Sequence, residues 1–234
     1  MIPNRLGYDP APMPQPTPFP RSNERYVLPG PAGAIEVATT WPEAPIRAGI
    51  GVVCHPHPLY GGTMDNKVVT TIERVYSEFG LPTLRFNFRG VGLSEGAHDH
   101  GQGEGDDLAW LVAWMRSQLP GHELWLAGFS FGSFVSTRMA ASLAPARLLS
   151  IAPPVDKWPF HEFAEPGCPW LVLQGDDDDV APADATARFV ASRHPAPTLV
   201  RMPGTGHFFH GKLGELRRLL HEALGRVDLP AVAQ

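Results

Sequence analysis

The sequence has only two cysteines, no cluster of basic residues and no long apolar run. Lys and Arg number 19 and Asp and Glu 24 among 234 residues, so the formal net charge is −5. A surface without a basic excess argues against a nucleic-acid partner and against an anionic membrane surface. No apolar run approaches the ~18 residues of a membrane span, so no transmembrane helix is predicted.

The two cysteines, Cys54 and Cys168, lie in apolar surroundings beside predicted strands. Such positions favour buried free thiols over a disulfide. The first ten residues have neither a basic start nor an apolar core, so the sequence predicts no secretory signal. Both features are typical of a cytoplasmic protein, which is the localisation we expect.

Proline is abundant instead, with 26 residues or about twice the usual share. Seven prolines fall within residues 1–20, and this composition favours extended polyproline II. We therefore divide the chain into a proline-rich N-terminal arm over residues 1–22, one folded domain over 23–228 and a C-terminal tail over 229–234. The arm could pack on the body or on a second subunit, which leaves a homo-oligomer open.

Short apolar runs alternate with amphipathic segments along the folded domain. This alternation predicts an α/β fold with a mostly parallel central sheet of about eight strands, helices on both faces and an antiparallel start. The predicted strands are 25–28, 35–40, 48–54, 83–88, 124–127, 147–151, 170–174 and 198–202. The predicted helices are 67–79, 106–119, one that begins just past Ser130, 182–193 and 213–224.

A G-x-S-x-G motif over residues 128–132 separates the fifth predicted strand from the next helix. A serine on such a sharp turn is held in strained geometry with its hydroxyl exposed, and glycines two positions away let the strand and helix approach. The motif also occurs by chance. The alternative is therefore an ordinary strand-to-helix turn that the glycines make possible and in which the serine caps the helix. Ser130 is the candidate nucleophile, provided that its partners follow other strands.

Ligand sites of such sheets lie beyond the carboxyl ends of the strands, where an acid and a base are expected. Four adjacent aspartates, 176–179, follow the strand 170–174; Asp176, Asp178 and Asp179 are the candidates to orient a histidine, with Asp156 a weaker rival. His207 follows the last strand on a glycine-flanked loop and suits a general base better than His210, which lies near the closing helix. The order serine, aspartate, histidine is the order in which a triad occurs in this architecture.

The loop after the third strand reads His-Pro-His-Pro over residues 55–58. An acyl-transfer site needs two backbone N–H groups that point at the developing oxyanion. One is expected from Phe131, and the other from His57, because the prolines beside it have no N–H; Leu59 is the fallback. The His-x-His pair could instead bind a metal, but no third ligand lies at a usual spacing, so no metal or other cofactor is predicted.

Two further loops lie near the predicted edge. Residues 89–94 are glycine-rich but match no phosphate-binding motif, so we expect them to shape a tight loop beside the site. His98-Asp99-His100 follows and is predicted to form a solvated loop.

The sequence resembles the α/β-hydrolase superfamily, and most of all its small lidless bacterial serine hydrolases, called dienelactone-hydrolase-like or carboxylesterase-like. The matching stretches are 55–67, 86–92, 128–132, 174–182 and 206–209. The resemblance implies a triad of Ser130, Asp178 and His207, with Asp178 selected because it stands three residues after the turn glycine. True dienelactone hydrolases have a cysteine nucleophile, so their lactone substrate is not implied here.

The resemblance implies a serine hydrolase that cleaves small-molecule carboxylic esters, or thioesters, of small or medium acyl groups through an acyl-enzyme. A peptidase, amidase or acyltransferase on the same triad stays open, as does a non-catalytic binding scaffold. Residues 152–169 are too few for a lid, so an open site is expected. Its predicted lining is Leu59, Tyr60, Trp158, Phe160 and Phe208, with Phe163 and Phe209 as further candidates, although these aromatics could equally belong to the core.

Overall fold

Eight strands form one sheet in the computed structural model, which describes residues 18–43 and 45–225. The strands are β1 Glu24–Gly30, β2 Gly33–Thr40, β3 Gly49–Cys54, β4 Thr83–Phe86, β5 Glu123–Phe129, β6 Arg147–Ile151, β7 Trp170–Gly175 and β8 Thr198–Met202. The helices are α1 Lys67–Glu78, α2 Gln102–Gln118, α3 Phe131–Leu143, α4 Ala183–Ala191 and α5 Leu213–Leu224, with short 3-10 turns at Pro58–Tyr60 and Phe160–Glu162.

The strand order is β1-β2-β4-β3-β5-β6-β7-β8. Strand β2 pairs antiparallel with β1 and β4, and all the other neighbours are parallel. The predicted mostly parallel sheet with an antiparallel start is therefore confirmed. Because β3 and β5 to β8 run in the same direction, the loops that follow them meet at one edge.

The sheet is buried on both faces. Along β5, Leu124 and Leu126 point into one apolar layer, and Trp125 points into the other, as the two-residue period of a strand requires. The first layer packs against α2, α3 and α4, and the second against α1 and α5. The predicted helices on both faces are confirmed.

Helix α2 begins at Gln102, four residues before its predicted start at Asp106. The prediction missed this first turn because it contains glycines at 103 and 105, and glycine disfavours helix interiors. A Cβ at Gly103 would collide with the guanidinium of Arg89, which makes two 2.8 Å hydrogen bonds to the Asp107 carboxylate. Position 103 is therefore a glycine because the guanidinium of Arg89, paired with Asp107, packs directly against the helix backbone there.

The end of the predicted arm packs on the body. Phe19 is buried, and its ring centroid lies 6.1 Å from that of Trp41 and 5.7 Å from that of Trp114. The Arg21 guanidinium lies 5.6 Å from the centroid of the Trp41 ring. The rest of the arm, residues 1–17, and the predicted tail, 229–234, lie outside the described residues.

Both cysteines are free, with Cys54 buried and Cys168 half-buried. Burial raises the pKa of both thiols, so both are protonated near neutral pH. Within residues 18–43 and 45–225, no helix has the length and apolar character needed to cross a bilayer.

Candidate active site

Ser130 occupies the sharp turn between β5 and α3. Its φ is 53° and its ψ is −120°, a combination that costs backbone strain for a residue with a side chain. A Cβ at Gly128 would collide with the backbone of Gly132, and one at Gly132 would collide with the Cys54 carbonyl. The two motif glycines are therefore required by the close approach of α3 to β5 and to the end of β3.

His207 and Asp178 reach Ser130 from the loops after β8 and β7. His207 Nε2 lies 3.0 Å from Ser130 Oγ, and His207 Nδ1 lies 2.8 Å from Asp178 Oδ2. All three side chains are buried. The structure thus brings together three residues that are separated by up to 77 positions, in a continuous hydrogen-bonded line from carboxylate to hydroxyl.

The Asp178 carboxylate is held by its own loop. Oδ1 accepts hydrogen bonds from the amides of Val180 at 2.9 Å and Ala181 at 2.6 Å, and Oδ2 accepts one from Gln174 Nε2 at 3.1 Å. These contacts leave Oδ2 directed at the imidazole of His207.

The rival candidates lie elsewhere in the described structure. Asp176 forms an ion pair with Arg201 at 2.6 Å, and the side chains of Asp156 and Asp179 are exposed. His210 is likewise exposed. Of the four candidate aspartates, all within the described ranges, Asp178 is the one in contact with His207.

The loop after β3 runs beside the nucleophile turn, with the rings of His57 and Phe131 4.8 Å apart. Within the described residues neither of their amides donates a hydrogen bond, and that of Phe131 lies at the positive N-terminus of α3. The fallback amide, that of Leu59, donates to His57 Nδ1 at 3.3 Å. Both amides are therefore without a hydrogen-bond acceptor among the described residues.

His55 holds the loop after β3 in place through hydrogen bonds to backbone groups. Phe88 N donates to its Nε2 at 2.9 Å, and its Nδ1 lies 2.6 Å from the Pro56 carbonyl oxygen. Burial lowers the pKa of His55 to about 3, so the ring is neutral and donates from Nδ1. Both ring nitrogens bind backbone, which leaves neither for a ligand.

His98 was missed as a neighbour of the site. Its side chain is only 7% exposed, and its ring lies 4.9 Å from that of His57 and 5.4 Å from that of Phe131. The prediction of a solvated loop is wrong for this residue, although Asp99 and His100 are exposed. The missed signal is Glu104 in the first turn of α2, whose buried carboxylate lies 2.8 Å from His98 Nδ1.

A cavity of about 610 Å³ opens over Ser130. Of the predicted lining residues, Tyr60, Trp158 and Phe208 line it, and Tyr60 is 86% exposed at its rim. Leu59 points to solvent from the 3-10 turn, outside the cavity wall.

Phe160 does not line the cavity, because it is only 1% exposed and belongs to the core. Its ring packs 5.6 Å from those of Phe134 and Phe189, between α3 and α4. Phe209 is a core residue of the opposite layer, and Phe163 packs against the edge of the layer that contains Phe160.

Residues 152–169, between β6 and β7, contain a single 3-10 turn and no further helix, all of them within the described part of the chain. No lid therefore covers the cavity from this connection, as the sequence predicted.

Comparison with known proteins gives the same architecture. The family model for the alpha/beta hydrolase fold matches residues 72–152. XC6422 from Xanthomonas campestris, an α/β serine hydrolase without lid, is 45% identical, with a TM-score of 0.88, over 93% of this chain and 100% of its own. An α/β serine hydrolase homologue from Coxiella burnetii is 45% identical, with a TM-score of 0.85, over 87% of this chain and 98% of its own.

Among curated proteins, the uncharacterised protein RP471 of Rickettsia prowazekii is 34% identical over 208 residues, or 83% of this chain and 86% of that protein. The two solved structures and RP471 each align with more than four fifths of this chain, and XC6422 is likewise a hydrolase without a lid. The chain therefore belongs to the α/β-hydrolase family, among its small serine hydrolases without a lid.

Proposed function

We propose that this protein is a serine esterase that cleaves carboxylic esters, or thioesters, of small or medium acyl groups through an acyl-enzyme on Ser130. The observation that carries the proposal is the line of contacts from Asp178 through His207 to Ser130, at 2.8 Å and 3.0 Å. An open cavity over the hydroxyl gives a small ester access to it. The net charge of −5 supports an enzyme of small molecules rather than a partner of nucleic acid or of an anionic membrane, and we propose that it acts in the cytoplasm.

The proposed reaction begins when Ser130 Oγ attacks the ester carbonyl and His207 Nε2 accepts the hydroxyl proton. Asp178 stabilises the imidazolium through Nδ1–H. The amides of Phe131 and His57 bind the tetrahedral oxyanion, and this kind of stabilisation is usually the largest single contribution to the rate. His207 then donates its proton to the leaving oxygen or sulfur, and the acyl group remains on Ser130.

The same residues then release the acyl group from Ser130 by hydrolysis. His207 removes a proton from a water molecule, whose oxygen attacks the acyl carbonyl, and the proton is finally returned to Ser130 Oγ. The open cavity supports this step, because water reaches the ester linkage without a lid opening. Ready access of water also favours hydrolysis over transfer of the acyl group to another acceptor.

The strain at Ser130 supports an enzyme rather than a binding scaffold. The combination of φ 53° and ψ −120° lies outside the regions that a residue with a side chain favours, and such strain is typical of active sites. A scaffold without turnover has no need of that strain or of the aligned Asp178 and His207 behind it.

The test is labelling with a fluorophosphonate probe, followed by mass spectrometry of the modified peptide. We expect the adduct on Ser130, loss of labelling in Ser130→Ala and full labelling in Ser142→Ala, which removes an exposed hydroxyl from the same helix. Absence of a Ser130 adduct in folded protein would contradict the proposal.

A substrate panel then separates the reaction classes. Acyl chains from C2 to C16 are offered as oxygen esters, thioesters and amides, and hydrolysis rates are compared. We expect turnover of the esters and a preference for the shorter chains. Faster cleavage of amides than of matched esters would indicate a peptidase or amidase instead.

A further inference from the structure

Lys157 is the one Asp, Glu, Lys or Arg side chain, among the described residues, on the wall of the cavity over Ser130. The rest of the wall consists of aromatic, glycine and proline residues, Val180, Asn66, Ser130 and two histidines. One of these, His57, has its pKa lowered by burial and by the neighbouring His98, so it is neutral at neutral pH. Among the described lining residues, Lys157 therefore brings the one permanent charge to a largely apolar cavity wall.

The backbone of Lys157 is fixed close to the site. Its amide donates to the Pro154 carbonyl at 3.0 Å, and the next amide, that of Trp158, donates to the same oxygen at 3.2 Å. The Trp158 ring then packs 5.1 Å from that of Phe131. The lysine thus extends from an ordered turn whose next residue contacts the nucleophile turn.

The ammonium group is free to bind a ligand. Lys157 is exposed, and in the described part of the chain no carboxylate lies within ion-pair distance of it. The neighbouring Asp156 is also exposed but contributes nothing to the cavity wall. Although the whole protein carries a net charge of −5, an unpaired cation at this position makes the entrance locally attractive to anions.

We infer that the substrate of the proposed esterase carries an anionic group, a carboxylate or a phosphate, and that Lys157 binds it while Ser130 attacks the ester. The inference rests on the proposed function and deepens it. A neutral ester enters the same cavity without this contact. Because the lysine is solvent-exposed, its effect is modest and appears in KM rather than in kcat, at about twofold to fivefold.

The experiment compares mono-4-nitrophenyl adipate with its neutral methyl ester, which has the same chain length and leaving group. We expect the wild type to prefer the anionic ester by about twofold to fivefold in kcat/KM, through a lower KM. Lys157→Met is expected to abolish the preference, Lys157→Glu to reverse it and Lys157→Arg to retain it. Lys212→Met, which removes a lysine outside the cavity wall, is the matched control and should keep the preference.

Two further conditions sharpen the result. Raising the ionic strength is expected to shrink the preference, because salt screens an exposed charge pair. The corresponding ester with a terminal phosphonate distinguishes the two anion classes: a stronger preference than for the carboxylate assigns the site to phosphate. Equal kcat/KM for the anionic and neutral esters in the wild type, or a preference that survives in Lys157→Met, overturns the inference.

Binding provides a readout that does not need turnover. Adipate is expected to protect Ser130 from fluorophosphonate labelling in the wild type and not in Lys157→Met. Neutral hexanamide is expected to change the labelling of the wild type and of Lys157→Met to the same extent. Labelling without such protection by adipate overturns the inference and leaves the proposed function standing. No Ser130 labelling and no ester turnover overturns the proposed function, and the inference with it.

Discussion

Two buried carboxylate–histidine pairs lie beside this site, Asp178–His207 and Glu104–His98. In both, the distance from Nδ1 to a carboxylate oxygen is 2.8 Å. In the first pair the two atoms form an aligned hydrogen bond, and Nε2 continues to Ser130 Oγ. In the second the alignment is not that of a hydrogen bond, and within the described residues Nε2 has no partner.

The difference follows from what surrounds each pair. Asp178 stands at the carboxyl edge of the sheet, where the loops after β5, β7 and β8 meet. Glu104 lies in the first turn of α2 and accepts hydrogen bonds from the amides of Asp99 at 2.9 Å and Gly101 at 2.8 Å, so it caps a helix. A short distance between a carboxylate and a histidine is therefore not enough to indicate a catalytic site. The two pairs differ because His207 also contacts a hydroxyl, that of Ser130, whereas His98 does not.

The largest expected effect is on the proposed catalytic pair. We expect Ser130→Ala and His207→Ala each to reduce kcat/KM for an ester by more than about a thousandfold, and the double variant to be little worse, because the two groups act in one step. Steady-state kinetics with circular dichroism as a folding control checks this. Additive losses in the double variant would show that the two residues act independently.

Asp178→Asn is expected to reduce kcat by about a thousandfold to ten-thousandfold, because the amide cannot stabilise the imidazolium and favours the wrong tautomer. Asp176→Asn and Asp179→Asn are the matched controls, and both should stay near the wild-type rate. If either control lost activity to the same extent while Asp178→Asn did not, the assignment of the acid would be wrong.

Glu104→Gln is expected to act on stability instead of on chemistry. Replacing the carboxylate weakens two backbone hydrogen bonds at the start of α2 and costs about 1–3 kcal/mol in the free energy of unfolding. The activity of the folded variant should stay within about tenfold of the wild type. Urea denaturation measures the effect on stability, and steady-state kinetics measures the effect on activity. A loss of kcat as large as that of Asp178→Asn would show that Glu104–His98 takes part in the reaction as Asp178–His207 is proposed to do.

The smallest effect is expected from His98→Leu. The imidazole makes no aligned hydrogen bond, so its loss should change the free energy of unfolding by about 1 kcal/mol or less and leave kcat nearly unchanged. His207→Leu is the comparison variant and should be inactive. A large fall in kcat for folded His98→Leu would instead assign the second histidine a part in the reaction.

Most elements of the fold could be predicted from periodicity, and the exceptions have local causes. The start of α2 was missed because Gly103 makes room for Arg89, a partner that no pattern within the helix reveals. The two phenylalanines of the pocket prediction show the same limit. Phe208 lines the cavity and Phe160 lies in the core, although both are aromatics in loops that follow strands.

The turn that presents Ser130 and the alternation of strands and helices are encoded locally, since glycine spacing and apolar period act over a few residues. Family resemblance then selected Asp178 from its neighbours. What needed the folded chain is every relation between distant residues: the line from Asp178 to Ser130, the burial of His98, and the position of Lys157 on the cavity wall. Such relations depend on how loops from separate strands converge at one edge, and a linear pattern carries no distance between them.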